Sequence, residues 1–139
     1  MLFRSSAIGE ANIFVATAAV ADYRPARPST TKLKRDGKTF TLEMVPNPDI
    51  LADVAKLERA PFTVGFAAET DNLADNARLK LERKGVDMVA ANLVGGAELG
   101  FNTDDNALTV FWRGGEQHFP RAHKRTLSRQ LIEIGRAHV

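Results

Sequence analysis

Cysteine is absent from the chain. That removes disulfides, thiolate metal sites and a cysteine nucleophile. No apolar run approaches the roughly 20 residues that a membrane-spanning helix needs. The opening residues do not read as a signal peptide, so a soluble, cytoplasmic protein is the simple expectation, with no membrane partner. Tryptophan and tyrosine occur once each, too few to interleave with basic residues as a nucleic-acid surface requires. His118, His123 and His138 form neither an HExxH pattern nor a close pair, which gives no histidine metal site. Neither standard phosphate cradle is present, GxxxxGK[ST] or GxGxxG after a strand. The glycine span in "GGAELGF" (95–101) lacks the necessary lysine.

What remains is an ordinary globular composition, 44% hydrophobic and 26% charged over 139 residues, enough for one compact domain with a core. The net charge of +2 favours no partner class, but its distribution is uneven. Arg24, Arg27, Lys32, Lys34, Arg35 and Lys38 face a single acid, Asp36, within fifteen positions. Such a segment is either a solvated mobile loop or a site for a polyanion such as a chain of phosphates.

"ANIFVATAAV" is a continuous apolar run with β-branched members and predicts a strand buried on both faces. After a proline-containing loop, residues 31–45 alternate on either side of Asp36-Gly37. This predicts a hairpin with Phe40, Leu42 and Met44 on one face. In "NPDILADVAKL", Asn47 stands where a helix cap would stand and Pro48 at the first helical position. "FTVGFAAET" predicts a second buried strand, residues 71–84 a helix stopped by Gly85, and "VDMVAANLV" a third strand. Strand, helix and strand in that order form a βαβ unit with parallel strands. A glycine-rich loop over 94–106 follows, then "ALTVFWR", a turn at Gly114-Gly115 and a helix from about Lys124. The fold class is therefore α/β, a doubly wound sheet with an inserted hairpin.

In open sheets of this kind, ligands bind beyond the carboxyl ends of the strands. The strand ends here are rich in Ala, Gly, Asn and Thr, which suits both close ligand approach and tight helix packing. Asp22, directly after the first strand, could bind a ribose, a base edge or a magnesium ion, or simply form a turn. On the helix over 71–84, Lys80 and Lys84 continue the stripe of Leu73 and Ala77. They either snorkel to water or hold an anion between them.

The blocks "AAVADYRP" (18–25), "KLK" (32–34), "NPDIL" (47–51), "VGFAAET" (64–70), "ARLKLERKGVDMVAAN" (77–92) and "GFNTDDNALTVFW" (100–112) occur together, in order, over almost the whole chain. In this they resemble the bacterial CTP-dependent phosphopantothenoylcysteine synthetases. These usually form the C-terminal half of a bifunctional phosphopantothenoylcysteine decarboxylase/phosphopantothenate–cysteine ligase.

The resemblance implies a Rossmann-like ligase that joins 4'-phosphopantothenate and L-cysteine through an acyl-cytidylate, with CTP as co-substrate, Mg2+ as cofactor and a homodimeric assembly. It implies that Ala16, Thr17, Ala18, Asp22, Pro48, Asp49, Ile50, Leu51, Phe66, Lys80 and Lys84 line the nucleotide. Lys32, with Lys34 as its companion, would be the catalytic lysine of a mobile flap. No residues are implied as metal ligands, and FMN is implied only where a decarboxylase half is fused to the same chain. The family's N-terminal glycine-rich turn, and the asparagine that handles the acyl-cytidylate, have no counterpart in this sequence. Residues 1–133 are therefore expected to be a partial ligase domain, a poor catalyst by itself. "IGRAHV" (134–139) matches a translated sequencing-library adapter and is expected to be a non-native tail. A non-catalytic nucleotide-binding domain is the alternative. A nicotinamide dehydrogenase is disfavoured for want of the dinucleotide fingerprint.

Overall fold

The computed structural model describes residues 8–94 and 104–138. They belong to two compact units, Met1–Thr17 with Ile50–Val139, and Ala18–Asp49.

The first unit is built on a five-stranded sheet. Its strands are β1 (Ile13–Ala16), β4 (Phe62–Glu69), β5 (Met88–Leu93), β6 (Asp105–Trp112) and β7 (Gly115–His123), in that spatial order. The first three run parallel and the last two are antiparallel additions. Side chains alternate across the sheet with the period of two that a strand imposes. Val64, Met88, Ala90, Val110 and Phe119 lie on one face under Leu127 and Leu131 of α3 (Lys124–His138). Ala67, Val89, Ala91 and Phe111 lie on the other, against Leu51 of α1 (Ile50–Ala55) and Ala77 of α2 (Leu73–Lys84). Covering both faces lets β4 and β5 be apolar almost throughout, and the expected α/β architecture stands.

Several expectations at the level of elements change. The first strand covers only Ile13–Ala16 and is partly buried throughout, because it forms the edge of the sheet. Helix α2 begins at Leu73 and ends as expected, with Gly85 left-handed at φ 65° and its N–H bonded to the Glu82 carbonyl. The turn after β6 leads into β7, a strand with little alternation to announce it. Gly114 supplies the positive φ of 88°. Gly115 is required for a different reason, since a Cβ there would stand 2.7 Å from the Trp112 indole.

Helix α3 continues through residues 134–138, with Gly135 buried and the His138 ring 5.1 Å from that of Trp112. The glycine-rich loop falls mostly on 95–103, outside the described residues. Among the described residues no helix is long and apolar enough to cross a membrane.

In the second unit, the predicted hairpin across Asp36-Gly37 is replaced by a different ladder. Strands β2 (Tyr23–Pro25) and β3 (Met44–Pro46) pair antiparallel, Tyr23 opposite Pro46. The expected turn chemistry is present, since Gly37 has φ 76° and Asp36 Oδ1 accepts the Lys38 N–H at 3.0 Å. Its flanks do not pair, because nothing in the unit buries their apolar face. Phe40 is 73% exposed, and an uncovered two-stranded ribbon is marginal in water.

Asn47 does not cap a helix, and α1 starts three residues later, at Ile50. Asn47 instead locks the β2–β3 ladder. Its Nδ2 donates to the Ala21 carbonyl at 2.7 Å, its Oδ1 accepts from Arg24 at 3.1 Å, and its N–H reaches the Asp22 carbonyl at 2.7 Å.

Candidate functional site

The carboxyl ends of β1, β4 and β5 lie together by the parallel register. Backbone hydrogen bonding there leaves the Phe66 carbonyl without a strand partner. The Phe62 N–H bonds to the Asn12 carbonyl on the β1 side, and the Thr63 carbonyl accepts the Asp87 N–H on the β5 side. Since successive residues of a strand point their backbone groups to opposite sides, the Phe66 carbonyl faces β1. Yet β1 has ended, its last pair being Ala16 with Gly65. A buried carbonyl without a donor is costly, and here the ammonium of Lys80 donates to it from α2.

That bond settles where the α2 lysines stand. Lys80 is half-buried and brings its charge to the fork between β1 and β4, at the carboxyl end of the parallel strands. Lys84 is also half-buried, one turn further on as the last residue of α2, towards the opposite end of the sheet. Ala16 closes β1 and packs against the α1–α2 side of the core; Thr17 beside it is exposed.

Leu51 and Phe66 both turn their side chains into the core. The Leu51 side chain is buried in the core, with its Cδ2 so near Gly65 that a Cβ there would be 2.7 Å away. The Phe66 ring packs on the α3 face, so towards α2 the residue offers only its main chain. Ile50, partly buried, opens α1.

Ala18, Asp22, Lys32, Lys34, Pro48 and Asp49 belong to the second unit, and all six are exposed. The Asp22 carbonyl is used by Asn47, while its carboxylate forms no hydrogen bond or ion pair among the described residues. Lys32 and Lys34 are likewise without a partner there. They follow a turn in which Ser29 Oγ donates to the Thr31 carbonyl at 2.6 Å. Of the basic cluster, Arg27 is paired with Glu43 at 3.3 Å, an exposed contact worth little.

Two residues without a role in the sequence pattern matter here. Glu69 ends β4, and its Oε2 accepts a hydrogen bond at 2.9 Å from Nδ2 of Asn76, one helical turn before Lys80. The i, i+4 spacing of Asn76 and Lys80 was the available signal. Among the described residues no group of three His, Cys, Asp or Glu side chains could hold a metal ion. A magnesium ion carried by nucleotide phosphates needs only one or two protein carboxylates, and that lesser demand suits the unengaged Asp22.

Two clefts, of about 430 Å3 beside Asn12, Phe62 and Asp87 and about 340 Å3 beside Arg78, Trp112 and Arg113, open at the other end of the sheet.

Over residues 3–137 the sequence matches the family described as DNA/pantothenate metabolism flavoprotein C-terminal domain. The chain is 52% identical over 125 residues to the coenzyme A biosynthesis bifunctional protein CoaBC of Vibrio cholerae, covering 88% of this chain and 31% of that protein. Against the protein of the same name from Escherichia coli it is 43% identical over 133 residues, covering 93% and 33%. It thus spans about a third of the length of these curated relatives. The crystal structure of the C-terminal domain of a coenzyme A biosynthesis bifunctional protein CoaBC matches with a TM-score of 0.72 and 26% identity, over 96% of this chain and 58% of that one. On this match the chain belongs to the DNA/pantothenate metabolism flavoprotein C-terminal domain family.

Proposed function

We propose that the chain is part of the ligase domain of a coenzyme A biosynthesis enzyme. In that reaction a carboxylate oxygen of 4'-phosphopantothenate attacks the α-phosphorus of CTP, and the bond to pyrophosphate breaks. The amine of L-cysteine then attacks the acyl carbon of the cytidylate and CMP leaves. The amine's proton passes to solvent, and 4'-phosphopantothenoylcysteine is the product. The observation that carries this reading is the family match over nearly the whole chain, joined to relatives whose names give coenzyme A biosynthesis.

The residues fit the electrostatic demand of the first step. A carboxylate approaching a triphosphate brings like charges together, and fixed cations offset that repulsion. Lys80 supplies a cation held by the main chain, and the family resemblance implies a second from Lys32 as the lysine of a flap. Closure would also keep water from the reactive acyl-cytidylate. Mg2+ on the phosphates, with Asp22 as its protein carboxylate, would supply further charge neutralisation. The same reading carries a homodimer.

The test is pyrophosphate release by the full-length protein that carries this sequence, with CTP, Mg2+ and 4'-phosphopantothenate, with and without L-cysteine. CTP-dependent release is expected, falling on the order of a hundredfold in Lys32→Ala. Release that survives Lys32→Ala would make the basic connection a solvated loop. A folded protein that binds CTP and releases nothing would be a nucleotide-binding domain without the ligase activity.

A further inference from the structure

The chain turns from β4 into α2 through a strained point. Asn72 adopts φ 44°, ψ 39°, the left-handed region that residues bearing a Cβ avoid. It is the N-cap of α2, yet its side chain makes no capping bond. Asparagine enters this region more readily than other residues with a Cβ, and Asn76 ties the turn from the helix side. The Asn76 N–H bonds to the Asn72 carbonyl at 3.0 Å. Its Nδ2 donates to Glu69 Oε2 at 2.9 Å and also approaches the Asp71 carbonyl at 3.3 Å. One amide therefore ties the end of β4, the turn and the first turn of α2 together.

Residues four apart on a helix lie about 40° from each other around its axis, so Asn76 and Lys80 share a side of α2. Both reach β4: Asn76 to Glu69, and Lys80, one turn later, to the carbonyl of Phe66. These are two successive rungs between the same helix and the same strand. The first fixes the height and rotation of the helix, and the second depends on both. We propose that Asn76 is a positioning residue for the Lys80 ammonium, acting through the Glu69 carboxylate and the Asp71-Asn72 turn. The part of this proposal that concerns nucleotide rests on the ligase reading above; the part that concerns Lys80 does not.

The test uses the full-length protein and two readouts. The first is the rate at which Lys80 is acetylated by acetic anhydride, read by mass spectrometry against exposed Lys56. It is expected to rise severalfold in Asn76→Ala and in Glu69→Ala, and to stay near the parent rate in Glu69→Gln, whose amide oxygen still accepts. The second is affinity for CTP with Mg2+. A loss on the order of tenfold is expected in Asn76→Ala, and none further when Asn76→Ala is added to Lys80→Ala. If Asn76→Ala fails to fold, Glu69→Ala removes the same rung from the strand side.

Unchanged Lys80 reactivity in both alanine variants would overturn the proposal. So would an equal loss of affinity with and without Lys80. A parent protein that does not bind CTP, but whose Lys80 reactivity responds as described, would remove the ligase reading and keep the positioning role.

Discussion

Thr63 and Asp87 illustrate how single residues set the base of the sheet. Thr63 is 1% exposed, so its polar groups need partners within the protein. Asp87 provides them. One carboxylate oxygen accepts the Thr63 N–H at 2.7 Å and its hydroxyl at 2.8 Å, while the Asp87 N–H approaches Thr63 Oγ1 at 3.1 Å. The pair clamps the start of β5 to β4 at the end away from the candidate site. Removing the acceptor leaves two buried donors without partners. Asp87→Ala is therefore expected to lower unfolding stability by about 1–3 kcal/mol, and Thr63→Val by about 1 kcal/mol. Urea midpoints would check both, and a double variant should cost less than the sum because the residues share one network.

At the scale of elements, what could be read in advance followed from burial. Strands β4 and β5 announce themselves as continuous apolar runs, because both faces of the sheet are covered, and helix α2 does so by the spacing of its apolar residues and by Gly85 at its end. Strand β7 was hidden: of its residues only Phe119 is buried, and Pro120 suits an edge strand. The ladder of the second unit was hidden for another reason. It joins Tyr23–Pro25 to Met44–Pro46 across a long connection, while the local alternation around Asp36-Gly37 pointed to a nearer pairing. Polar locks decided between them, Asn47 and Arg24 above all, and a residue that resembles a helix cap can serve equally as a strand lock. In the candidate site, Lys80 could be placed on α2 from spacing alone, but its partner could not, since a carbonyl freed by the end of a strand has no sequence signature. Asn47→Ala should free the Asn47 amide, bonded to Asp22, to exchange with solvent about tenfold faster or more. Amides of Met88–Leu93 should keep their protection. Loss of protection in both places would mean that the two units open together.

For the whole molecule, the distribution of exposed apolar surface is the informative feature. Val20, Tyr23, Leu33, Phe40, Leu42 and Met44, each at least 44% exposed, all lie in the second unit. The first unit exposes Leu79, Leu93 and Ile132 to the same degree, so the second unit, with twice as many such residues, is the face to test for the homodimer of the proposed function. Sedimentation velocity should show a dimer for the full-length protein and a monomer for Phe40→Glu combined with Leu42→Glu, with the far-ultraviolet spectrum unchanged. A variant that remains dimeric would place the interface elsewhere. The anchoring of Lys80 has a different consequence, in evolutionary terms. Its acceptor is a main-chain carbonyl, which every amino acid possesses. Sequence drift at position 66 cannot delete that contact, whereas drift at position 80 can. If the ligase reading holds, a descendant of this chain that took a different nucleotide is expected to change residue 80 and retain the fork between β1 and β4 as an inherited socket.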